Sequence, residues 1–135
     1  FPVASNPMTI ETLEAAQKLF GQSAAEKLLL VVFQKITGQY KTKLKGNTLA
    51  ERAKWLARLR DHDGCMSDCE TTDGEVRIVE HHSPILDLLR AYPIVAKLES
   101  EMFSRILGAP VRREDSSVSG LYCVTFSCGN SGGGD

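Results

Sequence analysis

Nothing in these 135 residues stays apolar for long. The longest run, Leu28 to Phe33, is far short of the ~20 residues a helix needs to cross a bilayer. The opening FPVASNP has no basic region followed by an apolar core, so it does not read as a signal peptide. An excess of positive charge is also missing: 16 Lys and Arg face 17 Asp and Glu, a formal net charge of -1. Phosphate contacts supply much of the affinity for DNA or RNA, so this balance argues against a domain that grips nucleic acid by itself. There is no G-x-G-x-x-G, no phosphate-binding loop, no G-x-S-x-G and no H-E-x-x-H. The opening evidence for a nucleotide enzyme, a serine hydrolase or a zinc protease is therefore absent. The glycines from 129 to 134 precede no helix and read as part of a disordered tail, 129–135.

What is present is an ordinary globular composition, 42% hydrophobic and 24% charged, in a chain of single-domain length. Residues 1 to 7 read as a linker. Ile10, Leu13 and Leu19 predict a helix from Thr9 to Phe20, ended by Gly21. Ser23-Ala-Ala-Glu26 has the form of a capping box. It opens a long helix whose stripe is Leu29, Phe33, Ile36, Tyr40 and Leu44. Thr48-Leu-Ala-Glu51 repeats the capping signature ahead of Leu49, Ala53, Leu56 and Leu59, and Gly64 is the stop. Arg58, Arg60 and His62 fall near that helix's C-terminus, where positive charge suits the dipole.

The period then changes. Cys65 to Glu70, a turn at Thr72-Asp73-Gly74 and Glu75 to His81 read as a β-hairpin. Ser83 is placed to cap a helix with Pro84 at its first position, and Tyr92-Pro93 breaks it. Val95, Leu98, Met102 and Ile106 stripe the next helix, closed by Gly108. Val111 to Ser116 and Leu121 to Ser127 form a second hairpin across Ser119-Gly120. The order ααα-ββ-αα-ββ, without βαβ alternation, predicts an α+β domain over residues 1–128: a four-stranded antiparallel sheet packed with about five helices.

Four cysteines and a histidine pair invite a metal reading. Cys65 and Cys69 on one strand would stand ~13 Å apart, too far to share an ion. Cys128, next to the tail, is expected to be poorly ordered. Cys65, Cys69 and Cys123 read instead as small buried hydrophobes. His81 and His82, adjacent on a strand, point to opposite faces and cannot chelate together. A mixed site of one histidine with Glu80 and Cys123 at the sheet edge stays open, with Cys65 and Cys69 as further candidate ligands beside His82 and Cys123. Cys123 with a histidine is the one nucleophile–base combination on offer, and no cation is fixed beside it to ionise the thiol.

The ordered segments LAERAKWLARLRDHDGCMSD, DGE, EHHSPI, AYPIVAKLESEMFSRILGAPVRR and SGLYCVTF, after an opening FP, carry a resemblance. From about Phe1 to Cys128 the chain resembles the C-terminal region of bacterial ArsR/DeoR-type winged-helix transcriptional regulators, including the iron–sulfur-sensing repressor of the Suf operon. It is also similar to vinyl-reductase-like small-molecule-binding domains. The resemblance implies a cytoplasmic, non-catalytic effector-sensing and dimerisation module, a homodimer that contacts DNA only through a preceding winged-helix domain. It places the effector site around His81, His82, Ser83, Ala96 and Cys123. Iron–sulfur-sensing relatives hold cysteines where this chain has Ser83 and Ala96, and only Cys123 is kept. A hydroxyl and a methyl cannot replace two thiolates around cluster iron, so no cofactor is expected. The rival expectation is a free-standing small-molecule- or metal-binding protein with redox chemistry.

Overall fold

Four apolar stripes of helical period, the short capped segment after Ser83 and two hairpins of period two fold into five helices and one antiparallel sheet, in the expected order. The structure, a computed structural model, describes residues 7–129. The helices are α1 (Pro7–Phe20), α2 (Ala24–Lys43), α3 (Leu49–His62), α4 (Leu86–Ala91) and α5 (Ile94–Leu107). The strands are β1 (Ser67–Thr72), β2 (Glu75–Glu80), β3 (Arg112–Asp115) and β4 (Val124–Gly129). Of the expected linker, residues 1–6 lie outside the described residues, and Pro7 already begins α1, where its missing N–H costs nothing. Residues 130–135 of the expected tail also lie outside, whereas Gly129 belongs to β4 opposite Glu75.

Strand order is β1-β2-β4-β3, all neighbours antiparallel, so the two hairpins meet through β2 and β4. Val76, Ile78 and Glu80 on β2, with Val124, Phe126 and Cys128 on β4, alternate into a single buried face. The intervening residues Glu75, Arg77 and Thr125 make the other face polar, the pattern of a sheet covered on one side. Helix α3 crosses β1 and β2, while α5 packs over the centre, where Phe103 stacks on Phe126 with ring centroids 3.9 Å apart. The charged edge strand Arg112–Asp115 discourages pairing with a further strand.

Local chemistry sets the boundaries. The capping box at Thr48 forms as expected: Glu51 N donates to Thr48 Oγ1, and the Glu51 carboxylate accepts from the backbone N–H groups of Asn47 and Thr48. Those backbone donors hold the Glu51 carboxyl below its ordinary range. Gly46 sits just before it at φ 123°, and a Cβ there would lie 2.7 Å from Glu51 Cβ. The second expected box does not form. Ser23 has helical backbone angles (φ -86°, ψ -2°) and its side chain caps nothing, because the turn from Gly21 runs directly into α2. The β1–β2 hairpin closes on Asp73 and Gly74, both at positive φ, a pairing that matches the twist of the strands.

Three further expectations are corrected. Cys65 is not on β1: Met66 takes φ 50°, which turns the chain before the strand starts at Ser67. Helix α4 begins at Leu86 rather than Pro84. Ser83 instead anchors the preceding turn, its Oγ accepting from Ile85 N and its carbonyl accepting from Leu86 N. Cys128 is not at a loose end but is 2% exposed in β4, opposite Val76.

Candidate functional site

Three charged residues continue the apolar periods of three different elements. Arg60 follows Ala53, Leu56 and Ala57 along the buried side of α3. Glu80 follows Val76 and Ile78 on the inner face of β2, and Glu99 lies among Val95, Leu98 and Met102 on α5. The fold drives all three inside, where Glu80 and Glu99 are each 1% exposed and Arg60 is 7%. Buried charge is tolerated only when paired, and it is paired here. Arg60 Nε and Nη2 donate to the two carboxylate oxygens of Glu80 at 2.8 and 2.7 Å, and Nη2 also donates to Glu99 Oε2 at 2.8 Å. Ser67 Oγ donates to Glu80 Oε2, and the guanidinium lies 5.0 Å above the Phe103 ring. Burial works against the charge on Arg60, but the hydrogen bonds and charges of Glu80 and Glu99 outweigh it and raise the arginine well above its ordinary pKa. Glu99 Oε1 is sealed from solvent and makes no hydrogen bond.

Arg60 and Glu99 of this cluster line a cavity of about 290 Å³. Helix α2 supplies Phe33, Ile36, Gln39, Tyr40 and Lys43, and α3 with its exit supplies Arg60, Asp63 and Cys65. Helix α5 adds Glu99 and Met102, and the β2–α4 corner adds Pro84 and Ile85. Tyr40 donates to Asp63 Oδ2 at 2.7 Å, tying α2 to the end of α3. Burial pushes the Tyr40 hydroxyl above its ordinary pKa despite the nearby Arg60 charge. Burial likewise pushes the Cys65 thiol up to about 12, so at neutral pH this sulfur is a protonated, poor nucleophile. The cavity sets apolar surface from Phe33, Ile36, Pro84, Ile85 and Met102 beside the charged side chains of Lys43, Arg60, Asp63 and Glu99.

The residues singled out in the sequence are dispersed around this centre. His81 and His82 lie just past the end of β2 and are both exposed, their N–H groups donating to the carbonyls of Met66 and Cys65. Ser83 is buried in the turn that leads to the pocket-lining Pro84 and Ile85. Ala96 lines a second cavity of about 420 Å³ with Arg90, Arg113 and Tyr122. Cys123 is half-buried ahead of β4, its N–H donating to Ser117 Oγ and its carbonyl accepting from Ser116 N. Cys69 is half-buried on β1, its thiol raised by burial. Glu80, considered as a ligand beside Cys123, is committed to Arg60. Among the described residues, no three His, Cys, Asp or Glu side chains are grouped to hold a metal ion. The donor set does not suit an iron–sulfur cluster either, since Ala96 offers no ligand atom and Ser83 Oγ accepts from Ile85 N.

The sequence reading missed the pocket's chemical centre. Arg60 was assigned to the helix dipole, although it stands one turn beyond Leu56 on the buried side. The signal available was a charge occupying an apolar register on three elements, two acidic and one basic. No family model and no curated protein matches the chain. No helix among the described residues is long and apolar enough to cross a membrane.

Proposed function

We propose that this chain is the effector-sensing and dimerisation domain of a bacterial, cytoplasmic transcriptional regulator, with no catalytic role and no resident cofactor. DNA contact would belong to a separate winged-helix segment. One observation carries the reading: α2 serves the pocket and an exposed apolar surface at once. Phe33, Ile36 and Tyr40 line the cavity. Leu28 and Val31 stand roughly 140–200° around the helix from Phe33, at ~100° per residue, and are 45% and 62% exposed. Among the described residues, seven of the ten large hydrophobic side chains left exposed belong to α1 and α2, with Leu19 at 72% and Phe20 at 79%. That concentration favours a second copy of the chain as the covering surface, since monomers rarely leave so much apolar area open. A two-fold dimer built on it would match a palindromic operator in the full regulator. A pocket and an interface on one rigid helix are what a sensor requires, because a ligand acts at a distance only by favouring one of two packings.

Size-exclusion chromatography with light scattering tests this directly. The chain is expected at twice its single-chain mass and Val31→Glu at the single-chain mass, with unchanged helix content. A wild-type monomer at about 100 μM, weaker than a typical transient dimer, contradicts the reading. So does salt-sensitive DNA binding by these 135 residues alone.

A further inference from the structure

We propose that the second cavity, between α4, α5 and the β3–β4 hairpin, binds a small organic monocarboxylate. The site goes beyond the sensor reading and holds whether or not the chain dimerises. Arg90 reaches the cavity from the last turn of α4, and Arg113 reaches it from β3. Arg113 stands opposite Phe126, so it shares the buried face of the sheet, and it is half-buried there. An inward charge on an edge strand discourages pairing with a further strand, but that role leaves the guanidinium unanswered. Among the described residues, neither arginine is in an ion pair with a carboxylate. Of the Arg113 nitrogens only Nε is sealed from solvent without a partner. The outer pair, Nη1 and Nη2, stays open and unbonded, and presents the fork that matches a carboxylate. A half-buried guanidinium without a hydrogen-bonded counter-charge is costly, and a bound anion removes that cost.

Charge and shape narrow the ligand. Asp115 also lines the cavity, and its Oδ1 accepts from Ser117 N at 2.8 Å. Hydrogen bonds from Ser117 and, to a lesser degree, the Arg113 charge hold its carboxyl below the ordinary range. Two arginines against one aspartate leave a single positive charge, which a monoanion neutralises and a dianion overshoots. Glu99 acts on Tyr122 from the interior, but it is held by Arg60 and makes no ion pair with Arg113. Leu86, Leu89, Pro93 and Ala96 give apolar surface for the body of the ligand. The volume, about 420 Å³, matches roughly fourteen waters at ~30 Å³ each, room for a ring and its carboxylate.

The test is an NMR titration of the isotopically labelled chain at pH 7 with benzoate, benzamide, benzylamine and phenyl phosphate. Benzoate is expected to saturate below about 50 mM, weak binding being normal for so small a ligand, with shifts at the amides of Ala96, Ser117 and Gly120. Benzamide, the neutral isostere, should bind about tenfold more weakly, the scale of one charge-assisted hydrogen bond. Benzylamine should not saturate, and phenyl phosphate, mostly a dianion at this pH, should bind no tighter than benzoate. Arg90→Gln, at an exposed position, should weaken benzoate up to about fivefold and leave benzamide unchanged. Arg113→Met should weaken benzoate about tenfold or more. Asp115→Asn keeps an acceptor for Ser117 N and should tighten benzoate. Benzamide binding as tightly as benzoate, or benzoate indifferent to both arginine variants, overturns the assignment. So does saturation that shifts Phe33 and Met102 while the amides of the second cavity stay still. Phenyl phosphate binding more than about tenfold tighter than benzoate overturns the monocarboxylate in favour of a phosphate. Absence of saturable benzoate binding overturns the site. If Arg113→Met does not fold, Arg90→Gln and Asp115→Asn decide alone.

Discussion

Replacing Arg60 with Met separates the cost of a broken ion cluster from the worth of an intact one. The wild-type guanidinium makes three hydrogen bonds of 2.7–2.8 Å to two carboxylates that are almost fully buried. Met fills similar volume but leaves both carboxylates without their cation. Breaking one buried pair by removing a partner costs about 3–5 kcal/mol, because the surviving charge stays buried and uncompensated. With two carboxylates abandoned, Arg60→Met belongs at the upper end of that range. For a domain of this length the loss lowers Tm by roughly 10–20 °C. The triple variant Arg60→Met, Glu80→Met and Glu99→Met removes the stranded charges as well. Apolar replacement of a whole buried cluster is commonly neutral or stabilising, so the triple should regain most of the loss even though Ser67 Oγ forfeits its acceptor. Urea unfolding at pH 7, followed by circular dichroism, reads both variants on one scale. The reasoning is refuted if Arg60→Met lies within about 1 kcal/mol of the wild type, the level of an ordinary surface salt bridge. It is equally refuted if the triple variant is no more stable than the single one.

Other consequences are smaller and independent. Thr48→Ala removes the α3 cap and should cost about 1 kcal/mol by urea melts. Because backbone donors lower the Glu51 carboxyl, its contribution is present above the ordinary 4.5 and fades as pH falls through the lowered value. Glu51→Gln should therefore flatten that acid-side loss, and an unchanged pH profile would count against the capping geometry. Gly38 lies inside α2 with open space where a Cβ would go, so Gly38→Ala should stabilise by about 0.5–1 kcal/mol; a loss of stability would reveal a hidden contact. Cys65, 3% exposed and pushed up to about 12, should resist iodoacetamide at pH 8 in the native protein and react on unfolding, as mass spectrometry of its peptide would show.

Periodicity made the architecture legible because each stripe has one energetic destination. Leu29, Phe33 and Tyr40 could be buried together only on a helix, and Val76 with Ile78 only on a strand. The capping motifs were less reliable, since the same Ser/Thr-x-x-Glu pattern formed a box at Thr48 and none at Ser23. The difference is conformational: Thr48 is extended at φ -106°, ψ 162°, while Ser23 is already helical. A residue with its own helical dihedrals cannot turn its oxygen back onto the first-turn N–H groups. The register of β1 depended on Met66 adopting a positive φ, which no local sequence feature announced.

The pocket was legible only in outline. The EHHSPI corner does approach it, but through Pro84 and Ile85 rather than the histidines. Reading Arg60 as a charge that suits the helix dipole followed its position near a helix end. Its burial is a tertiary fact, produced when β2 and α5 each bring a carboxylate to the same point. Ser83, Ala96 and Cys123 were grouped by resemblance, and Ala96 lines the separate cavity beside Arg113 and Tyr122. There burial pushes the Tyr122 hydroxyl up to about 12.

The claim that matters most is that the pocket and the dimer surface communicate through α2. Sedimentation equilibrium of the wild type and of Ile36→Trp measures it, since the indole occupies the cavity without touching the exposed face around Leu28 and Val31. Coupling of the usual size, ~1–3 kcal/mol, predicts a dimer dissociation constant changed by about fivefold or more. Identical dimer constants in a protein whose cavity has been filled would mean that the helix carries no signal from one side to the other.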